Sequence, residues 1–197
     1  MKSALQDTGG RTDSPASILI FLGNDLLSPL SAIDLSNTAS YLLTHADLLP
    51  SIPGLTPITV TDPRQLASKL ETETTIHNSL SGKTVFLIID TASIEGVRLG
   101  EHCHNVLDII GLTVNITLLL PFRFEREIPF QDSSHLVNML TKRIMPPTFI
   151  AYPAPPIVSK GQERYFRHCR DSLVIEHINT LIALNRQVET GDAPPTP

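Results

Sequence analysis

The sequence predicts an α/β domain built on a mainly parallel sheet with helices on both faces, and three observations carry that expectation. Short, apolar, β-branched runs recur along the chain, helix-compatible stretches separate them, and the runs are apolar throughout, as strands buried on both faces are. Parallel neighbours need crossovers, and helical crossovers cover both faces of the sheet that they join.

Each element has its own signal. Residues 1–16 and 186–197 are rich in Gly, Pro, Thr and acidic residues, with too little apolar content to offset chain entropy, so both read as flexible tails around a domain spanning 17–185. Ser17–Leu22 (SILIFL) opens the domain as a strand, and Ser31–Thr44 has helical apolar spacing. Pro57–Thr61 (PITVT) is the next strand; Asp62 and Pro63 then supply an N-cap and first-turn pair for a helix over Pro63–Ser79. Thr84–Ile89 (TVFLII), Thr113–Leu120 (TVNITLLL) and Thr148–Tyr152 (TFIAY) continue the strands, with helices over Leu99–Ile110 and Ser133–Ile144 between them. Pro146-Pro147 and Pro153-Ala154-Pro155-Pro156 stiffen the loops around the last strand, and a long helix over Gln162–Leu184 closes the domain. In such a sheet ligands sit at the carboxyl ends of the strands.

Composition narrows the function. The 197 residues carry 15 Lys+Arg against 20 Asp+Glu, a formal net charge of −5, which argues against nucleic acid as the main partner. With 41% hydrophobic and 18% charged residues the chain is globular, and two cysteines exclude a disulfide framework. Residues 1–16 hold no export signal and no run nears eighteen apolar residues, so a soluble cytoplasmic protein without membrane insertion is expected. Asn115-Ile116-Thr117 has the form of a glycosylation sequon but lies inside an apolar run and is read as unmodified.

Three stretches carry a family resemblance: Thr91-Ala92-Ser93 after the strand VFLIID, Gly111-Leu112-Thr113-Val114, and Pro121-Phe122-Arg123-Phe124-Glu125. In order and spacing they resemble the GTPase domain of FtsZ and the wider tubulin/FtsZ superfamily, whose N-terminal domain is a Rossmann-like parallel sheet. Tyr165 to Leu173, followed by His177 to Ile182, looks like the central helix of that family. The resemblance implies a nucleotide site near Gly23, Thr91, Gly96, Gly100, Glu125, Phe166 and Arg170, with Glu125 at the ribose and Phe166 near the base.

The departures matter more. Where the family cradles phosphates on a loop of glycines and threonines, this chain has Ser93-Ile94-Glu95-Gly96-Val97-Arg98-Leu99-Gly100, with two glycines and a carboxylate facing the same anion. Gly23-Asn24-Asp25 keeps a single glycine, Arg170 stands where the family reads guanine with Asp or Asn, and Ala154 stands where an Asn is expected. The stretch Asn185-Arg186-Gln187 lacks the acidic residues by which the family completes a neighbour's site. The resemblance therefore implies a degenerate, truncated relative: a non-catalytic pseudo-GTPase with no cofactor. It would act through association with itself or with an FtsZ/tubulin-type protein and modulate filament assembly or cell division. The alternative is a GTPase-like enzyme that binds GTP or GDP through an altered phosphate loop.

Other constellations carry less. Glu101-His102-Cys103-His104 and Cys169 offer metal ligands, His102, Cys103, His104 and Cys169, but residues two apart on a helix point to different sides, so ordinary surface histidines and a buried thiol fit equally. A Cys/His nucleophile pair among Cys103, Cys169, His104 and His168 would need tertiary contact. Lys160, Arg164, Arg167 and Arg170 form a basic row that would hold a phosphate or pair with acids such as Glu95 and Glu163. The last helix is apolar on more than one face, so a stripe of Val174, Ile178 and Leu181 is expected to meet a partner or the chain's own tail.

Overall fold

The computed structural model describes residues 17–23, 26–44, 52–60, 84–92, 96–101, 103, 114–122, 131–143, 145–153 and 160–190. In chain order these form β1 (Ser17–Leu22), the single turn α1 (Leu27–Leu30), β2 (Ala39–Thr44), β3 (Leu55–Thr59) and β4 (Thr84–Asp90). Then come α2 (residues 96–101), β5 (Val114–Phe122), α3 (Gln131–Thr141), β6 (Thr148–Pro153) and the long α4 (Lys160–Thr190). The described strands make one six-stranded sheet in the order β3-β2-β1-β4-β5-β6, with every neighbouring pair parallel.

Successive strand residues point to opposite faces, so each strand feeds two cores. On one face Ile18, Ile20, Val85 and Leu87 pack with Val97 and Leu99 of α2 and with Leu136 and Leu140 of α3. On the other, Leu19, Phe21, Ile88 and Leu119 pack against Leu26 and Leu30 around α1 and against Val174 and Ile178 of α4. Helices thus cover both faces, as the sequence predicts. Gly54 has φ +80, and a Cβ there would come within 2.2 Å of the Leu35 carbonyl oxygen, so the turn into β3 requires glycine.

Two expectations are corrected. Residues Ala39–Thr44, read as the second half of a helix, form β2, hydrogen-bonded between β1 and β3. Leu42 faces one core and Leu43 the other, so the strand shows no alternation, and its apolar spacing also fits a helical turn. The preceding loop is closed by its own side chains: the Ser36 amide donates to Asp34 Oδ1 (3.1 Å) and the Thr38 hydroxyl to the Leu35 carbonyl (2.8 Å).

The second correction concerns Val174, Ile178 and Leu181. They do not form an open stripe but are the residues by which α4 is seated on the sheet, with Ile178 wholly buried. The side of α4 turned to solvent carries Tyr165, Leu173 and Leu184 instead.

Boundaries shift elsewhere. Pro57 sits inside β3, which is at the edge of the sheet among the described strands, where a proline is tolerated because it need not donate to a ladder on its outer flank. α2 already includes Gly96, ahead of the expected Leu99, and α4 runs past Leu184 to Thr190, into the stretch read as a tail. The helix expected over Pro63–Ser79 and the second half of that over Leu99–Ile110 lie outside the described residues. Among the described residues no helix is long and apolar enough to cross a membrane.

Candidate functional site

The strand order reverses at β1, whose two neighbours β2 and β4 lie on either side, so the crevice outside the carboxyl ends of β1 and β4 is the topological switch point. The register Leu22↔Ile89 sets Gly23 beside Asp90 at that rim. Gly23 takes φ 105, a left-handed conformation that lets the chain leave β1 and accept the Leu26 amide (3.3 Å) ahead of α1.

Asp90 ends β4 and is completely buried, so its charge needs partners. The Ala92 amide (2.9 Å) and the Tyr152 hydroxyl (3.3 Å) donate to Oδ1, and Arg170 Nη1 lies 3.4 Å from Oδ2. The Arg170 guanidinium also donates through Nε (3.1 Å) and Nη2 (2.9 Å) to Asp171 Oδ1, while Asp171 Oδ2 accepts from Ser28 Oγ (2.8 Å). One connected network therefore links α1, β4, β6 and α4 across the rim. Burial works against the Arg170 charge, but Asp90 and Asp171 outweigh it and hold the pKa above the ordinary arginine value.

The direction of α4 follows from two contacts. Arg170 meets the carboxyl end of β4, while His177, two turns later, hydrogen-bonds Thr117 in the middle of β5 (3.0 Å), so α4 runs antiparallel to the strands. Phe166, one turn before Arg170, consequently projects past the rim, half-buried and set edge-on to Tyr165 with ring centroids 5.5 Å apart. Burial pushes the His177 imidazole below the usual histidine range.

Of the residues named from the sequence, the structure brings Gly23, Thr91, Gly96, Phe166 and Arg170 to this end of the sheet. Thr91 is turned inward: its amide (3.1 Å) and hydroxyl (2.8 Å) both donate to the Leu119 carbonyl, tying β4 to β5. Gly96 lies in α2. Gly100 lies within that helix and faces the core, since a Cβ there would stand 3.0 Å from Ile89 Cδ1 and 3.2 Å from Leu136 Cδ2. Its role is to let α2 approach the sheet. Glu125 and Glu95 lie outside the described residues.

The metal and thiol candidates separate. Cys103 is buried in the core beneath α2 and α3, where desolvation pushes its thiol far up, and Cys169 belongs to α4 on the opposite face of the sheet. The sheet stands between the two sulfurs, so they cannot serve one ion, and Cys103 cannot reach His168 of α4. His102 and His104 lie outside the described residues, among which no group of three His, Cys, Asp or Glu side chains is placed to hold a metal. The basic row divides as well: Arg167 is exposed and pairs with Glu163 (3.0 Å), whereas Arg170 turns into the fold.

Sequence reasoning missed Asp90, Tyr152, Asp171 and Ser28. A signal existed for the first two, since a carboxylate closing the apolar run TVFLIID and a tyrosine closing TFIAY must each satisfy a polar tip where their strands end.

Neither a family model nor a curated relative matches the chain. Solved structures do. A monomeric subunit of TubZ from Bacteriophage PhiKZ superposes with TM-score 0.52 at 13% identity, over 87% of this chain and 62% of that one. The phage tubulin PhuZ with GDP gives 0.54 at 11% identity, over 87% and 57%, and a protofilament of the PhiKZ TubZ gives 0.52 at 13%, over 87% and 57%. The chain thus spans about three fifths of the length of the chains it resembles. Identity this low speaks for architecture alone, and the architecture is the tubulin/FtsZ-like α/β fold.

Proposed function

We propose that this chain is a non-catalytic tubulin/FtsZ-like domain, a pseudo-GTPase that works by associating with copies of itself or with a filament subunit of the same fold. The observation that carries the reading is Arg170: at the switch point its guanidinium is already paired with the buried Asp90 and with Asp171. A nucleotide entering there meets a pair of carboxylates whose cation is engaged, and the stretch that the family resemblance aligns with a phosphate loop carries a further carboxylate in its sequence, Glu95, next to Gly96. Association is supported by the protofilament that the TubZ relative forms and by the apolar side chains that α4 turns outward.

Calorimetric titration with GTP and GDP tests the first half. The expected result is no saturable binding tighter than about 0.1 mM and no GTPase rate above buffer, because each tenfold in affinity is about 1.4 kcal/mol and the sequence over 93–100 keeps only two of the glycines that bring backbone amides to phosphates. Micromolar binding that disappears in Glu125→Ala overturns it in favour of a nucleotide-binding enzyme. Sedimentation of the chain alone and with a tubulin-like filament tests the second half, and a monodisperse monomer that stays in the supernatant with the filament refutes association.

A further inference from the structure

The network at the rim has the composition of a binding site for a planar cation. Asp90 and Asp171 approach the guanidinium from different elements, one completely buried and the other largely so, and each takes a different set of its N–H groups. Asp90 is held in turn by the Tyr152 hydroxyl and the Ala92 amide, and Asp171 by the Ser28 hydroxyl, so the carboxylates are oriented by groups other than Arg170 itself. A fork of donors fits such a pair better than a point charge does, because its N–H groups reach both carboxylates at once.

We propose that the switch-point crevice is a guanidinium site that the chain fills from within, with Arg170 as its resident ligand and Asp90 and Asp171 as the groups that bind it. The crevice selects a cation with a planar set of donors, and its occupancy from within holds the first half of α4 against the rim. This deepens the reading of a nucleotide-free domain and rests on it only in taking the same crevice as the ligand position. Nucleotide titration of the wild type tests that reading, and the experiment below uses a different ligand and a different variant.

In Arg170→Ala the binding groups remain and the ligand is gone, so free guanidinium should take its place. Thermal unfolding would be followed in about 50 mM guanidinium chloride, with equal sodium chloride and ammonium chloride as controls. A site with a Kd of about 5 mM shifts the folding equilibrium roughly tenfold at that concentration, a rise of about 3–6 °C for a chain of this size. The rise is expected for Arg170→Ala, and it should be absent from the wild type, whose site is full, and from Asp90→Asn/Arg170→Ala, whose site has lost its buried charge. If Arg170→Ala does not fold in buffer, folding that appears with guanidinium and not with sodium supports the proposal. An Arg170→Ala protein indifferent to guanidinium, or one that ammonium restores equally, or a double variant restored as well as the single one, overturns it.

Discussion

Arg170 and Asp90 depend on one another, because both are charges withdrawn from water and each is one of the groups that hold the other, beside Asp171 for Arg170 and the Ala92 amide and Tyr152 hydroxyl for Asp90. Removing one partner of a buried ion pair leaves the charge of the other less well compensated and costs about 3–5 kcal/mol, whereas removing both costs much less. Arg170→Met should therefore destabilise the fold by about 3 kcal/mol in urea unfolding, and Asp90→Asn/Arg170→Met by clearly less than the sum of its single changes; strict additivity would show that the two do not interact. His177 behaves differently. Its folded pKa lies below the unfolded one because of burial, so between those values the unfolded chain binds more protons, and stability is complete above the ordinary histidine pKa and falls as pH drops through it. His177→Gln, which can keep a hydrogen bond to Thr117, is expected to flatten the stability profile below about pH 6.5, as chemical denaturation across a pH series would reveal.

Helix α4 presents two faces with opposite tolerance for charge. Ile178 is wholly buried against the sheet, so Ile178→Asp should cost about 4 kcal/mol or more and unfold the domain, read by loss of far-UV circular dichroism. Leu184 is 52% exposed and sits about three turns along the helix from Leu173, nearly in line with it, so Leu184→Asp should change stability by less than about 1 kcal/mol while weakening association in sedimentation. The sequence shows that α4 is apolar on more than one side but not which side the sheet takes. That choice depends on Leu19, Phe21, Ile88 and Leu119, which are distant in the chain. β1, β4, β5 and β6 are legible because each is a short β-branched run bounded by turn residues, while β2 (ASYLLT) is hidden because Thr44 is its one β-branched residue and its adjacent leucines fit a helical turn as well. The candidate site is legible in its location and not in its chemistry. Gly23 and Thr91 mark the rim, yet the acid that pairs with Arg170 is the last residue of a strand whose apolar body draws the eye.

At the scale of the whole molecule the sheet has a protected middle and two edges. Among the described strands β1 and β4 are paired on both sides, whereas β3 and β6 are each paired on one, so amide hydrogen exchange is expected to be slowest around Ile20 and Leu87 and fastest in β3 and β6. A uniform exchange rate across the strands would contradict that gradient. The same strand order has a consequence for how the chain assembles. Ser17 finds its partner at Thr84, with β2, β3 and the segment after them lying between the two in sequence, so the central seam of the sheet closes across a long loop and its entropy must be met before the seam gives anything back. During synthesis β1, β2 and β3 leave the ribosome with the wholly buried strand β1 open along one side, and that edge is what a chaperone would shield until β4 arrives.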